Sequence, residues 1–199
     1  IEYTSNPIIN NTFIMENTAE QGGGVFIDHN ASVTFTNSTI TDNSAVNGAA
    51  ICSYGSSELN FVNSIVSNHT SINNTVIHIT DSSNITITSS EVFGNNSGND
   101  GGAFHIREGS NLSVLDSRIH NNSTPSDSGS GGGIYLVYNS SATIANSEIS
   151  QNSCFGYGGG VYAFSNCSID ILNSTIADNE ATGYGDSGIH LSESSGQIE

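Results

Sequence analysis

The sequence predicts an all-β protein: a right-handed parallel β-helix solenoid of about seven coils, with three short strands in each coil. Three observations predict it. A polar anchor returns at Asn11, Asn37, Asn63, Ser89, Asp116, Asn146 and Asn173, at intervals of 26, 26, 26, 27, 30 and 27 residues. Alternating apolar residues precede each anchor, and Ile or Val follows it three places later. The composition suits a thin core, with 35% hydrophobic residues, no Trp and 22 Gly among 199 residues. A period of this length marks units that bury their apolar faces only against neighbouring copies.

The first strand of each coil lies just before the anchor, where apolar residues stand four and two places upstream. Examples are Val33 and Phe35, Leu59 and Phe61, and Ile169 and Ile171. A period of two gives a strand with one buried face. The second strand begins three residues after the anchor, at Ile14, Ile40, Val66, Val92, Ile119, Ile149 and Ile176. The third begins twelve residues before the next anchor, usually after glycines, at Val25, Ile51, Ile77, Phe104, Ile134 and Val161, and Ile189 continues the row. Because this interval of twelve does not vary, every change of period falls in the loop that precedes the glycines. Stacking at about 4.8 Å per coil gives a rod on the order of 35 Å long. The general rule for parallel crossovers makes it right-handed.

Two polar columns are expected to face inward as asparagine ladders. One is formed by the anchors Asn11, Asn37, Asn63, Asn146 and Asn173, the other by Asn17, Asn43, Asn95, Asn122, Asn152 and Asn179, six residues further on. Each amide donates to one neighbour and accepts from the other, which satisfies a group that is costly to bury unpaired. Ser89, Asp116 and His69 interrupt the columns and mark the coils expected to be weakest. Glycine runs such as Gly22-Gly23-Gly24 and Gly131-Gly132-Gly133 supply positive φ or close backbone approach at a corner. Gly183, Gly185 and Gly188 also fit a phosphate-cradling GxGxxG, but they precede a strand instead of opening a helix, so that reading is set aside.

The formal charge is -17, from 19 Asp and Glu against Arg107 and Arg118 with no Lys. Nucleic acid and anionic membrane surfaces are therefore excluded as partners, since both are bound mainly through Lys and Arg. No apolar run approaches the ~20 residues that span a bilayer, so no direct membrane insertion is expected. The chain enters and leaves the repeat between coils. Residues 1–199 are thus expected to form one β-helix segment of a longer chain, uncapped at both ends.

The spacing of Ile14 to Asn17 then Gly22 to Val25, Ile40 to Asn43 then Gly48 to Ile51, and Ile149 to Asn152 then Gly158 to Val161 resembles the repeat of the chlamydial polymorphic outer membrane proteins. The resemblance covers nearly the whole chain. It implies the right-handed β-helix of surface-adhesin passenger regions, and with it an extracellular, cell-surface place and an adhesive role. The chain departs from that family in having Ile or Val where Phe is usual, and in carrying no membrane-anchoring barrel.

Candidate sites follow from the coil positions. The outward side of the third strand carries Phe26, Tyr54, Tyr135, Val137, Tyr162 and Phe164, a row of apolar and aromatic side chains expected to be a bare interaction face. Cys52, His78 and His105 stand in the same column on consecutive coils, ligand types that suit zinc, but a flat ladder spreads them and offers no fourth ligand, so no metal is expected. Scattered acids such as Asp100 and Asp186 lack the nonapeptide pattern of calcium-binding β-rolls. Glu91, Arg118 and Glu148 form an outward column that reads as an ion-pair ladder rather than a catalytic carboxylate pair. Arg107 and Arg118 lie on different strands and cannot share a site. Of the three cysteines, Cys154 and Cys167 share a coil, and their pairing stays open.

N-glycosylation sequons are expected to be solvent-facing at Asn10, Asn30, Asn68, Asn73, Asn84, Asn111, Asn121, Asn139 and Asn166. Those at Asn37, Asn173, Asn95 and Asn122 are expected to be bare because they belong to the ladders. The function read from the sequence is a non-enzymatic, cofactor-free, extracellular structural or adhesive rod, glycosylated, meeting copies of itself or other surface proteins and glycans through its ends and its aromatic face. The alternative is a polysaccharide-binding or polysaccharide-degrading β-helix, since lyases and hydrolases share the fold.

Overall fold

The structure, a computed structural model, describes residues 1–73 and 75–199. Its described residues form 29 strands, all paired in parallel, in one eight-stranded sheet and three seven-stranded sheets. Each strand pairs only with its equivalents one coil away, so Val33 stands opposite Leu59, Ile85 opposite Leu112 and Ala142 opposite Ile169. The first sheet contains the strands before the anchors, such as Glu58–Val62 and Asn84–Thr88. The second contains the strands after them, such as Ile65–Ser67 and Glu91–Phe93.

The expected three strands per coil become four. A short strand follows each residue of the Asn17–Asn179 column, for example Ser44–Asn47, Thr70–Ser71 and Ser153–Cys154, and these build the third sheet. Most of these strands are only two residues long, as in Thr70–Ser71 and Asn96–Ser97, and leave no period to read. The strand expected to be third, as in Ile77–Ile79 and Phe104–Arg107, therefore belongs to the fourth sheet.

The core is a bundle of aliphatic rows with few aromatics. Ile51, Ile77, Phe104, Ile134 and Val161 form one fully buried row, and Phe35 stacks on Phe61 with ring centroids 4.9 Å apart. Each such side chain contributes roughly 1.5–3 kcal/mol through burial. The coil before the fourth sheet is drawn in tightly: a Cβ on Gly102 would stand 1.9 Å from the carbonyl oxygen of Gly132, so only glycine fits.

The corners correct the sequence reading. Asn37, Asn63, Ser89, Asp116, Asn146 and Asn173 have φ between 48° and 51° and are exposed, so this column faces solvent and forms no inward ladder. Asn11, with φ 48°, is exposed in the same way. Their residue type answers to the left-handed backbone, which Asn, Asp and Gly adopt most readily. The inward polar residue is the serine that follows. The backbone N–H groups of Ser38, Ser64, Ser90 and Ser117 donate to Oγ of Ser64, Ser90, Ser117 and Ser147 at 2.9–3.1 Å. Each hydroxyl in turn donates to the carbonyl two residues back, as from Ser64 to Val62 at 2.9 Å.

The second column is an inward ladder. Nδ2 of Asn95 donates to Oδ1 of Asn122 at 2.8 Å, Asn122 to Asn152 at 2.9 Å and Asn152 to Asn179 at 3.0 Å, and Asn17 donates to Asn43 at 2.9 Å. The second amide hydrogen goes to a carbonyl of the preceding coil, from Asn122 to Val92 at 3.1 Å. His69 does not break the column. Its Nδ1 accepts the backbone N–H of Asn43 at 3.1 Å, its Nε2 lies 3.0 Å from the Ile40 carbonyl, and its own N–H donates to Oδ1 of Asn95 at 3.1 Å. Burial holds its pKa below the usual imidazole value, which keeps the neutral tautomer this pairing requires.

Two substitutions separate the columns. Asn122→Ala strands several buried donors and acceptors and is expected to cost about 2–4 kcal/mol in urea unfolding. Asn63→Gly meets only the left-handed requirement of the exposed corner and is expected to change stability by less than about 0.5 kcal/mol. Equal losses in the two variants would contradict the assignment.

Candidate functional site

Between the fourth and first sheets the chain turns through two successive left-handed residues in the central coils. These are Asp81 and Ser82 with φ 57° and 61°, Glu108 and Gly109 with φ 56° and 74°, and Tyr138 and Asn139 with φ 56° and 59°. Paired positive φ values are those of a type I′ turn. Ile79 pairs with Ile106 across the fourth sheet, so Asp81 and Glu108, each two residues further on, fall one above the other. Thr80 and Arg107, one residue earlier, also fall in register, and Tyr54 occupies that position on the coil before them. Between these rows lies a cavity of about 290 Å³ lined by Asn47, Tyr54, His78, Thr80, Asp81, Arg107 and Glu108.

Its charges are internally arranged. Arg107 Nη2 lies 2.6 Å from Glu108 Oε1, and its guanidinium carbon is 5.8 Å from the centre of the Tyr138 ring. Thr80 Oγ1 donates to Glu108 Oε2 at 2.8 Å. The hydrogen bond from Thr80 leads the effects that depress the Glu108 pKa, with Asp81 and Arg107 adding to it. Partial burial and the hydrogen bond with Glu108 push Asp81 the other way. The neighbouring carboxyl groups thus titrate apart, Glu108 as the ionised member beside Arg107 and Asp81 as the one that keeps a proton to higher pH. Such a site presents donors from Thr80 and Arg107 beside the carboxyl oxygens of Asp81 and Glu108.

Behind it runs a column of rings. Centroid distances are 6.0 Å for Tyr54 to His78, 5.2 Å for His78 to His105, 4.8 Å for His105 to Tyr135 and 5.3 Å for Tyr135 to Tyr162. His78 is only 4% exposed, and burial, with the Arg107 charge second, lowers its pKa to about 4. Burial holds His105 well below the usual imidazole range. Nδ1 of His78 and both ring nitrogens of His105 are enclosed without a hydrogen-bond partner.

The expected bare interaction face is not bare. Val137 is buried, with Cys52, His78 and His105, while Phe26, Tyr54, Tyr135, Tyr162 and Phe164 are half-buried. Side chains one coil apart cover one another, and that mutual contact is what an outward column in a parallel sheet produces. Cys52, His78 and His105 are not gathered: among the described residues no group of three or more His, Cys, Asp or Glu side chains is placed to hold a metal ion. Burial raises the Cys52 thiol to about 11, and a hydrogen bond with Tyr54 opposes this. Cys154 and Cys167 are both free and buried.

Arg118 lies between its two acidic neighbours, Nη1 at 3.0 Å from Glu91 and Nε at 3.1 Å from Glu148, and His120 Nε2 lies 2.8 Å from Glu91. A hydrogen bond from Ser150, then one from Arg118, lowers the Glu148 pKa. Asn10, Asn30, Asn68, Asn73, Asn84, Asn111, Asn121, Asn139 and Asn166 are all exposed. Asn95 and Asn122 are buried, whereas Asn37 and Asn173 are exposed, which overturns the reason for expecting those two to be bare.

Asp81 and Glu108 were missed by the sequence reading. Their signal was a shared offset, each two residues past Ile79 or Ile106, beside the one Arg on that strand.

With parallel coils, corner ladders and a pocket on the outer face in place, the protein is a β-helix of the solenoid class. The model of the right handed beta helix region matches residues 23–199, and the chain belongs to that family. No curated protein and no solved structure matches it.

The buried imidazole sets a pH dependence. Folded His78 titrates near 4, below the unfolded value of 6.5, so its contribution is complete above pH 6.5 and is lost as pH falls toward 4. The loss is roughly 3 kcal/mol over that interval. In urea unfolding at a series of pH values, His78→Phe is expected to flatten the decline, and an unchanged slope would refute the role given to His78.

Proposed function

We propose that the chain is a non-enzymatic extracellular rod, a structural or adhesive segment of a surface protein that holds an outer face at a fixed distance and orientation. The observation that carries this reading is the unbroken register of seven coils, whose serine and asparagine ladders tie each coil to the next. Such ladders resist bending, because slipping one coil breaks several buried hydrogen bonds at once. The resemblance to chlamydial surface repeats supports the adhesive side of the proposal. Exposed sequons at the corners would carry a glycan coat that, with the charge of -17, keeps the rod soluble. Its partners would be copies of itself or other surface proteins and glycans.

Small-angle scattering is expected to give an elongated particle whose cross-section does not change with salt, and a compact or salt-flexible particle would defeat the rod reading. After expression in a glycosylating host, peptide mass spectrometry is expected to find sugars at exposed sequons such as Asn30 and Asn139 and none at Asn95 or Asn122.

A second reading is favoured by one observation, the pocket of Tyr54, Asp81, Arg107 and Glu108. Paired carboxyls, a guanidinium and flanking Tyr rings suit the vicinal hydroxyls and apolar faces of a polysaccharide, bound or cleaved. Titration with neutral and acidic oligosaccharides tests it: Glu108→Gln is expected to weaken binding about tenfold or more, and no saturable binding to the wild type would remove this reading.

A further inference from the structure

Sequons recur at fixed coil positions, and in two places one stands directly above another. Asn84 pairs with Asn111 across the first sheet, and Thr86, which completes the first sequon, pairs with Ser113, which completes the second. Asn139 and Asn166 are stacked in the same way at the left-handed corner, with φ 59° and 60°, and their sequons end at Ser141 and Ser168, which are also partners. All four asparagines are exposed.

Within each pair the amides are joined. Nδ2 of Asn111 donates to Oδ1 of Asn84 at 2.7 Å, and Nδ2 of Asn166 donates to Oδ1 of Asn139 at 2.7 Å. Asn111 is held from its other side as well, because Ser141 Oγ donates to its Oδ1. Nδ2 is the atom on which an N-linked sugar is built. The hydrogen bonds engage that nitrogen on Asn111 and Asn166 and, among the described residues, leave it without a partner on Asn84 and Asn139. Paired strands stand only about 4.8 Å apart, so two glycans leaving one column on successive coils would collide from their first rings outward. Each column has room for one of them.

We infer that each stacked pair is a single N-glycan site, filled at Asn84 and Asn139 and bare at Asn111 and Asn166. The substrate class is an oligosaccharide carried on a lipid pyrophosphate. Nδ2 bonds to C1 of its reducing-end sugar, the bond from C1 to the phosphate oxygen breaks, the pyrophosphate leaves with that electron pair, and Nδ2 gives up one proton. The inference rests on the glycosylated-rod reading above and turns an even coat into chains spaced along the rod. Asn30, whose counterpart on the next coil is Ser56, meets no competing amide there and is filled.

The test is secretion of the whole chain from a eukaryotic host, then enzymatic release of the sugars in heavy-oxygen water, which marks every Asn that carried one, and mass spectrometry. Cleavage at Arg107 and Arg118 isolates Asn111 on residues 108–118 and keeps Asn139 and Asn166 together on residues 119–199. The mark is expected at Asn30, Asn84 and Asn139, and absent from Asn111 and Asn166. Asn84→Ala should bring a glycan to Asn111, and Asn139→Gly, which suits the left-handed backbone, should bring one to Asn166. Asn30→Gly, an equal loss of one sequon, should move neither. Circular dichroism of each secreted variant checks that it is folded. The inference is overturned if Asn139 and Asn166 are marked on one peptide, if Asn111 is filled in the wild type, or if the two pair variants leave Asn111 and Asn166 bare. Any of these results with Asn30 filled leaves the glycan coat standing, whereas sugar at no sequon rejects the coat and the inference together.

Discussion

Every coil depends on how its backbone turns a corner. A turn tight enough to start the next strand needs a left-handed residue, and the residue after it then points inward with a polar group to satisfy. At the first corner that pair is Asn or a substitute followed by Ser, as in Asn63 and Ser64. At the second it is a left-handed residue such as Asn121 followed by a buried amide, as in Asn122. The inward group bonds to its equivalent one coil away, so a local requirement becomes a continuous axial connection. The aliphatic rows supply most of the favourable burial energy, but without the ladders nothing would fix which row meets which.

The same stacking explains the candidate site. In a solenoid each side chain sees chiefly its equivalents on the coils above and below. Chemistry therefore arises where one coil position carries different groups on consecutive coils. Asp81 over Glu108, with Thr80 beside Arg107, is such a place, and Glu91, Arg118 and Glu148 are another. The first pair is set at a doubly left-handed turn, where the Thr80 hydrogen bond holds the Glu108 pKa down while desolvation and the hydrogen bond with Glu108 push that of Asp81 up. The second lies on an exposed strand and contributes only a surface ion-pair network of modest worth.

Much of the fold was legible in the sequence because its signals are periodic. Coil length, the three apolar strands of each coil and the buried column through Asn43, Asn95, Asn122 and Asn152 could be read from spacing alone. The strands of the third sheet could not, since a pair such as Thr70 and Ser71 has no alternation to detect. The anchors misled because asparagine has two uses in a solenoid, as an inward amide and as a tolerant left-handed residue, and spacing does not distinguish them. Composition gave equally little on the outer face: aromatic residues there signalled exposure, whereas stacking one coil apart half-buries them. Asp81 and Glu108 were hidden for the opposite reason, being unremarkable acids until the turn at residues 81 and 82 brings the columns together.

The loops between the third and fourth sheets absorb all the irregularity in coil length, from 26 to 30 residues, while every core row stays in place. They also carry Pro125, Phe155 and Tyr184. Lengthening a surface loop costs little free energy, so the frame and its decoration are separable. A change in what such a molecule grips need not be negotiated with what keeps it upright, and a lineage built on this plan is free to vary its contacts one rung at a time.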